Sequence, residues 1–418
     1  MTIETVVGRP VLTIAGETLD SLAGGAVIPP LVSVVVIAWN HERFVEAAIA
    51  SIRGQDYAAI ECVVVDNGSS DGTAAAIARA VGDDPRFTVV LRNENAGQLG
   101  AFIDVFDRLR GEFVTIVDSD DLIFSNAIAT HVQVQLALPQ KVAITSGAII
   151  QIGGDGQAFH RHRPDVAPRS ARSVFSEPAI RVASISDEQY DELSRRVTLV
   201  PAELPGWHWS PGSAILYRRA TIAAILPRRQ LTTRLYADGY LASLCHALHG
   251  SAAIHLPLSA WRTHGGNEMG AGITSTYNNA KPGLAAMKRA LNGERLRRAL
   301  ADPKHTDALV PGRYWTFVDV AAGLFGWQQI DQNEVVPMFA ASYPDLIELF
   351  GIPRTLMQIA KRVPLRSALR IVRDATGRAP SPAERAAILT AVAARKARDA
   401  ATILAPRNWA RARRLFAG

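Results

Sequence analysis

Two carboxylates stand two residues apart at Asp118-Ser119-Asp120, directly after an apolar run. At the end of a strand such a pair can reach one hard cation. Mg²⁺ and Mn²⁺ prefer oxygen ligands and often take only one or two from protein, with phosphates supplying the rest. Either aspartate could instead cap the next helix. Asp66 also follows an apolar run. A carboxylate there suits an N–H or hydroxyl donor on a base or ribose, although Asp66-Asn67-Gly68-Ser69 is turn-forming chemistry in its own right. His264 lies beside a glycine-rich stretch and is either a metal or phosphate partner or a surface histidine. Trp207-His208-Trp209 offers aromatic faces that could stack on sugar rings, or a packed hydrophobic loop. His160-Arg161-His162-Arg163 could bind an anionic acceptor or be a solvated loop.

The elements that must position these groups can be read from the hydrophobic pattern. Val32–Ala38 is a continuous β-branched run, as expected of a strand buried on both faces of a parallel sheet. Ile60–Val65, Phe87–Leu91 and Phe113–Val117 read as further strands. Helices are expected over Glu42–Arg53, over Asp71–Val81 (capped by Asp71 or a preceding serine) and over Gly97–Leu109. Four strands alternating with helices mean βαβ units and a doubly wound, mostly parallel α/β sheet, with ligands at the carboxyl ends of the strands. Val142–Ile152 reads as a strand, 153–205 as an inserted loop and Ser213–Tyr217 as a strand. Helices are expected near Arg219–Leu226 and over Gly239–Leu248, and a strand over Ala252–Leu256. Gly265–Gly272, with four glycines in eight residues, reads as a mobile loop. From about residue 280 the pattern is mainly helical.

The chain has 418 residues, 48% apolar and 20% charged, which excludes wholesale disorder and allows two or three domains. Two cysteines, Cys62 and Cys245, exclude a disulfide framework or a cysteine-rich zinc site and fit a reducing compartment. Met1–Pro10 lacks the pattern of a signal peptide, and the longest nearly uninterrupted apolar stretch, Ala26–Trp39, falls short of the roughly 18–20 residues of a membrane span. A cytoplasmic protein is therefore expected. The net charge of +6 is uneven: residues 1–280 hold 22 basic and 28 acidic residues, residues 281–418 hold 23 and 11, and after residue 353 there are 15 and 3. Thr355–Arg373, Ala383–Leu404 and Asn408–Phe416 are basic, with apolar residues such as Trp409, Leu415 and Phe416 among them. They suit an anionic membrane surface, or the solvated outer face of a helical cap. No recognised motif accompanies the charge to suggest nucleic acid.

The run Val32–Thr73, together with Asn93–Gly97, Gly111–Asp121, Pro211–Arg219 and Trp261–Asn267, resembles the ordered motifs of a family 2 glycosyltransferase over about residues 31–270. That resemblance implies a GT-A-type sheet and an inverting, metal-dependent transfer of a sugar from a nucleotide diphosphate, a UDP-sugar first, to an acceptor hydroxyl. The setting it implies is glycan, glycolipid or cell-surface polysaccharide synthesis, with a carbohydrate or lipid-linked acceptor. It implies that Asp66 binds the base, that Ala38, Trp39 and Asn40 contact base or ribose, and that Asn95, Asp118 and Ser119 also face the donor. Asp120 and His264 would hold Mn²⁺ or Mg²⁺ and meet the diphosphate. Asp238, at a helix start, would be the general base or merely a helix cap; Ala237 stands where the family often has an acidic residue, and Asn67 where it often has a second aspartate. The expected organisation is an extension over 1–30, a catalytic domain over 31–275 and a basic helical region over 276–418. A nucleotidyltransferase on a related fold and a non-catalytic nucleotide-sugar-binding protein are the rival readings.

Overall fold

The computed structural model describes residues 13–14, 17–18, 29–162, 174–175, 180–182, 184–227, 231, 234–265, 267, 284–323, 327 and 330–404. They form two compact units, 1–291 and 292–418. The first is built on a ten-stranded sheet. Its strands are β1 (Val32–Ala38), β2 (Ile60–Asp66), β3 (Phe87–Leu91), β4 (Phe113–Asp118), β5 (Leu122–Ile123), β6 (Ile144–Gly153), β7 (Ala158–His162), β8 (Val197–Val200), β9 (Ile215–Arg218) and β10 (Ser251–Thr263). The order is β8-β10-β6-β9-β4-β1-β2-β3, with β5 paired to β10 and β7 to β6.

Strands β1 to β4 run parallel, as do β6 and β10, and β9 is antiparallel to both its neighbours. Most paired residues are therefore parallel in a mixed sheet. Every residue of β1 and β2 is buried, because helices cover both faces and leave no edge for alternation. Helix α1 (Val45–Arg53) buries Val45, Ala48, Ile49 and Ile52, the spacing of one helical stripe. Helix α2 (Thr73–Val81) buries Thr73, Ala76, Ile77 and Val81 in the same way. Each aliphatic side chain so enclosed contributes about 1.5–3 kcal/mol.

Several boundaries differ from the sequence reading. Segment 153–205 is not simply a loop. It carries β7, helix α5 (Asp187–Arg195) and β8, and α5 starts with a reciprocal Ser186–Gln189 capping box. Two-residue strands at Thr13–Ile14, Glu17–Thr18 and Ile180–Arg181 form a separate small ladder. Gly212–Ala214 is a 3₁₀ turn, so β9 begins only at Ile215. Strand β10 has 13 residues, far beyond Ala252–Leu256, and absorbs Pro257 through irregularities in its pairing with β6. Helix α2 begins after Gly72, with Asp71 Oδ1 accepting from the Thr73 N–H at 3.0 Å. The remaining helices of this unit are α3 (Gly97–Phe106), α4 (Ala127–Ala137), α6 (Arg219–Ile225) and α7 (Ala237–His249). Most of Gly265–Gly272 lies outside the described residues.

The chain crosses into the second unit within α8 (Leu284–Ala301). That unit is helical among its described residues: α9 (Pro303–Leu309), α10 (Tyr314–Ala322), α11 (Gln332–Phe350), α12 (Ile352–Arg362), α13 (Leu365–Thr376) and α14 (Pro382–Leu404). Its core includes Phe317, Val335, Phe339, Leu346, Leu356, Ile371 and Ile388. Arg362 is buried, bonds Asp319 at 2.6 and 2.7 Å and lies over the Trp315 ring at 4.8 Å. No helix among the described residues is long and apolar enough to cross a membrane. Asn408–Phe416 lies outside the described residues.

Gly97 opens α3 at φ 74°, and a Cβ there would meet the Arg234 Cα at 2.8 Å. Gly82 has φ 53°, with nothing within 4 Å of the same position. Gly82→Ala is expected to cost about 1 kcal/mol from backbone conformation alone. Gly97→Ala should cost about 2 kcal/mol or more, because backbone must also move; urea unfolding of the two variants checks the ranking.

Candidate active site

The parallel register assembles the site. It sets Asp66 opposite Ala38 and Asp118 opposite Ile37, so the ends of β1, β2 and β4 share one edge of the sheet. Beyond β1 the chain turns through Trp39 and Asn40; Trp39 is 42% exposed. Asn40 has φ 57°, a value no other described non-glycine residue shares the sign of. Its Oδ1 accepts from the Ser70 N–H at 2.9 Å, while its own N–H donates to Ser69 Oγ at 3.0 Å. Asp66 is buried and its Oδ1 accepts from the Ser69 N–H at 3.1 Å. The turns after β1 and β2 are thus pinned to each other.

Asn67 and Asn95 act inside this frame. The Asn67 amide donates to Asn95 Oδ1 at 3.0 Å and to the Gly97 carbonyl at 3.4 Å, and its Oδ1 accepts from the Ala96 N–H at 3.2 Å. A carboxylate at Asn67 would lack the donor that these acceptors use, which explains the amide at this position.

Asp120 is met by His264 Nε2 at 3.0 Å and by the Asn267 amide at 3.3 Å, both on Oδ2. His264 N–H also bonds Asn267 Oδ1, which closes the turn after β10. His41 approaches from the other side. Its backbone N–H donates to Thr73 Oγ1 at 2.8 Å, and its ring Nδ1 shares a hydrogen bond with Ser119 Oγ at 2.7 Å. The His41 and His264 rings stand edge to face at 5.7 Å, and Phe44 packs against His264 at 4.6 Å. Ligand atoms of His41, Asp120 and His264 all lie within 4.8 Å of one another. Two imidazoles and a carboxylate at that spacing fit a divalent cation, with further positions left to other oxygens.

The neighbouring aspartates have different work. Asp121 is buried; its Oδ2 accepts from Ser213 Oγ at 2.6 Å and its Oδ1 from the Arg262 N–H at 2.9 Å. Ser213 Oγ also accepts from the Asp118 N–H at 3.0 Å, and Arg262 Nε donates to the Asp120 carbonyl at 2.9 Å. Asp121 therefore joins the end of β4 to the turn before β9 and to β10. Asp118 Oδ1 accepts from the Gln98 amide at 2.5 Å. Asp238, in the first turn of α7, accepts from the Gly239 N–H at 2.6 Å. Gly212 lies between Asp118 and Asp238: a Cβ there would be 3.5 Å from the Asp238 Cβ and 3.8 Å from Asp118 Oδ2.

This crowding sets the electrostatics. Burial, with the charges of Asp120 and Asp238, pushes Asp118 up to about 8 against the Gln98 hydrogen bond. Burial, Asp120 and Asp118 likewise raise Asp121, against its bonds from Ser213 and Arg262. Burial raises Asp238, although N–H groups of Gly239 and Gly212 favour its charged form. An anion-rich pocket of this kind stores a demand for positive charge.

Trp207 and His208 are half-buried, but Trp209 is 2% exposed and its Nε1 donates to Ser251 Oγ at 3.0 Å. Trp209 thus has no face open for a sugar, a correction to the aromatic platform; its indole is core packing with a satisfied N–H. The side chains of 160–162, and all of Arg163, lie outside the described residues. Sequence reasoning missed His41, Gln98, Asp121 as a staple, Ser213, Arg262 and Asn267. All of these but Gln98 stand inside motifs already singled out, so position in a motif was their one signal.

Residues 33–189 match the family model described as Glycosyl transferase family 2. An uncharacterized glycosyltransferase of Nostoc sp. is 24% identical over 329 residues, 78% of this chain and 88% of that protein. The Campylobacter jejuni GalNAc(5)-diNAcBac-PP-undecaprenol beta-1,3-glucosyltransferase is 37% identical over 105 residues, 25% of this chain and 34% of that protein. This chain thus spans most of the Nostoc relative but only about a third of the Campylobacter one. The S. aureus TarS 1-349 structure in complex with UDP-GlcNAc overlays loosely, with TM-score 0.42 and 16% identity over 82% of this chain and 89% of that one. The family match falls on the strand ends that carry Asp66, Asp118 and Asp120, and it marks residues 33–189 as similar to a family 2 glycosyltransferase domain.

Proposed function

We propose that the enzyme transfers a sugar from a nucleotide diphosphate to an acceptor hydroxyl with inversion, using a divalent cation. The observation that supports this best is the cluster of Asp120, His264 and His41 beside Asp118, at the edge where Asp66 also ends its strand. Asp66 accepts hydrogen bonds, which suits the ring N–H of uracil, so uridine diphosphate sugars stand first and guanosine ones second. Trp39 and the Asn40 turn flank the same edge, and Asn95, Asp118 and Ser119 face the sugar nucleotide. Asp120, His264 and His41 would hold Mn²⁺ or Mg²⁺, which when bound offsets charge on the diphosphate.

Asp238 serves as the general base. Burial raises its proton affinity above that of an ordinary aspartate, which helps it take a proton from the acceptor hydroxyl. Trp207 and His208, half-buried and shortly before Gly212 in the chain, would contact the acceptor. The name of the Campylobacter relative specifies an undecaprenol diphosphate acceptor, which supports a lipid-linked acceptor and a place in glycan or cell-surface polysaccharide synthesis. The outer faces of α12, α13 and α14 expose Arg354, Arg366, Arg370, Arg373, Arg385 and Lys396. These support peripheral contact with an anionic lipid surface, where such an acceptor resides, from the cytoplasmic side.

Three tests follow. Across a panel of nucleotide sugars with Mn²⁺, Asp120→Ala should abolish release of nucleoside diphosphate while circular dichroism stays native. Asp238→Asn should lower acceptor-dependent turnover by about 10²–10⁴-fold with donor affinity nearly unchanged. Unaltered turnover in either variant, or pyrophosphate as the product, would remove the assigned role.

Melting temperature against pH tests the charge crowding. With Asp118 raised from its ordinary range to about 8, the native state keeps a proton that the unfolded chain releases. Its contribution is full below about pH 4 and is lost as pH rises toward 8. Without metal, stability should fall over that window, and the rise in Tm on adding Mn²⁺ should be larger at pH 8 than at pH 5.5. An equal rise at both pH values would contradict a cation beside these carboxylates.

Co-sedimentation checks the lipid contact. Vesicles with an anionic phospholipid should retain the protein at low salt and release it as salt rises, while neutral vesicles should not retain it. Equal retention by neutral vesicles would rule out an electrostatic contact.

A further inference from the structure

We propose that Gln98 is a positioning residue that couples the donor-side carboxylate Asp118 to the helix start bearing Asp238. Both ends of its carboxamide are engaged across 20 and 139 residues of chain. Nε2 donates to Asp118 Oδ1 at 2.5 Å, and Oε1 accepts from the Ala237 N–H at 2.9 Å. The Ala237 N–H can only donate, so the amide oxygen must face it and the amide nitrogen must face Asp118. Gln98 is therefore fixed in one orientation, and it presents a donor to a carboxylate that already has Asp120 and Asp238 as neighbours.

The surrounding backbone makes this junction stiff. The Leu99 N–H donates to the Leu235 carbonyl at 3.0 Å, and Arg234 Nε donates to the Asn95 carbonyl at 3.1 Å. Gly97 permits the close approach, since any side chain there would strike Arg234. The first turn of α3 thus docks the first turn of α7. Asp238 follows Ala237 directly, and a Cβ at Gly212 would lie 3.5 Å from its Cβ and 3.8 Å from Asp118 Oδ2, so both carboxylates border the same glycine. Gln98 sets how far the carboxylate facing the donor stands from the carboxylate facing the acceptor hydroxyl. A shift of about 1 Å in such a distance can cost 10²-fold in rate.

The inference rests on the roles proposed for Asp118 and Asp238, and two variants separate it from them. Gln98→Glu keeps an oxygen for Ala237 but replaces the donor with a second carboxylate against Asp118. Gln98→Met keeps the volume and loses both bonds. Hydrogen exchange at the 237–239 amides reads docking of α7. It should stay within about twofold of wild type in Gln98→Glu and rise at least tenfold in Gln98→Met. With the best donor of the panel, kcat should fall at least tenfold in both variants, while KM for the donor changes less than threefold in Gln98→Met. Normal kcat in Gln98→Glu with α7 docked would reduce Gln98 to a structural strut, and normal exchange in Gln98→Met would remove the tie itself. Should the wild type turn over no nucleotide sugar, the proposed function fails, while the exchange result still decides whether the tie exists.

Discussion

Like charge gathered at the end of one strand is the constraint on which the rest depends. Asp118, Asp120 and Asp121 leave β4 together, and α7 adds Asp238 beside the first of them. Four carboxylates in partly dry surroundings cannot all ionise without compensation. The parallel register forces the crowding, since it brings the ends of β1, β2 and β4 level. The fold therefore has to supply donors, protons or a cation at that edge.

It supplies them unequally. Asp121 receives a serine hydroxyl and a backbone N–H and becomes a joint between strands. Asp118 receives one amide from Gln98 and stays proton-hungry. Asp120 receives His264 and Asn267, with His41 close by, which leaves it the carboxylate best placed to share a cation. Sequence neighbours with identical chemistry thus take different partners: Asp121 joins strands, while Asp118 and Asp120 are the carboxylates proposed to meet donor and cation. Free carboxylates in a preorganised site give strong interaction with charge that develops on a leaving diphosphate only when positive charge stands between them.

Much of this was legible in the sequence, for physical reasons. Strands buried on both faces must be continuous apolar runs, so β1, β2 and β4 announced themselves, and with them the carboxylates at their ends. Charge asymmetry likewise marked off the helical region, although the compact units divide at Leu291, inside a helix. What stayed hidden depends on long-range pairing. Nothing local distinguishes His41 or Gln98, whose partners lie 78, 20 and 139 residues away. Pro257 disguised a 13-residue strand, because a proline in a run argues against a strand unless the pairing is irregular. Trp209 shows packing deciding between two readings that residue type left open: its aromatic face is closed in the core. The Ser186–Gln189 box was present to be read and marked a helix inside an apparent loop.

The direct measurement is the affinity of the full chain for uridine and guanosine diphosphates by titration calorimetry, with Mn²⁺ and with a chelator. If the carboxylate edge works by sharing a cation with the diphosphate, Mn²⁺ should tighten binding of one of them at least tenfold, and Asp120→Ala should erase that gain. Equal or tighter binding in the chelator would contradict the shared-cation account of the site.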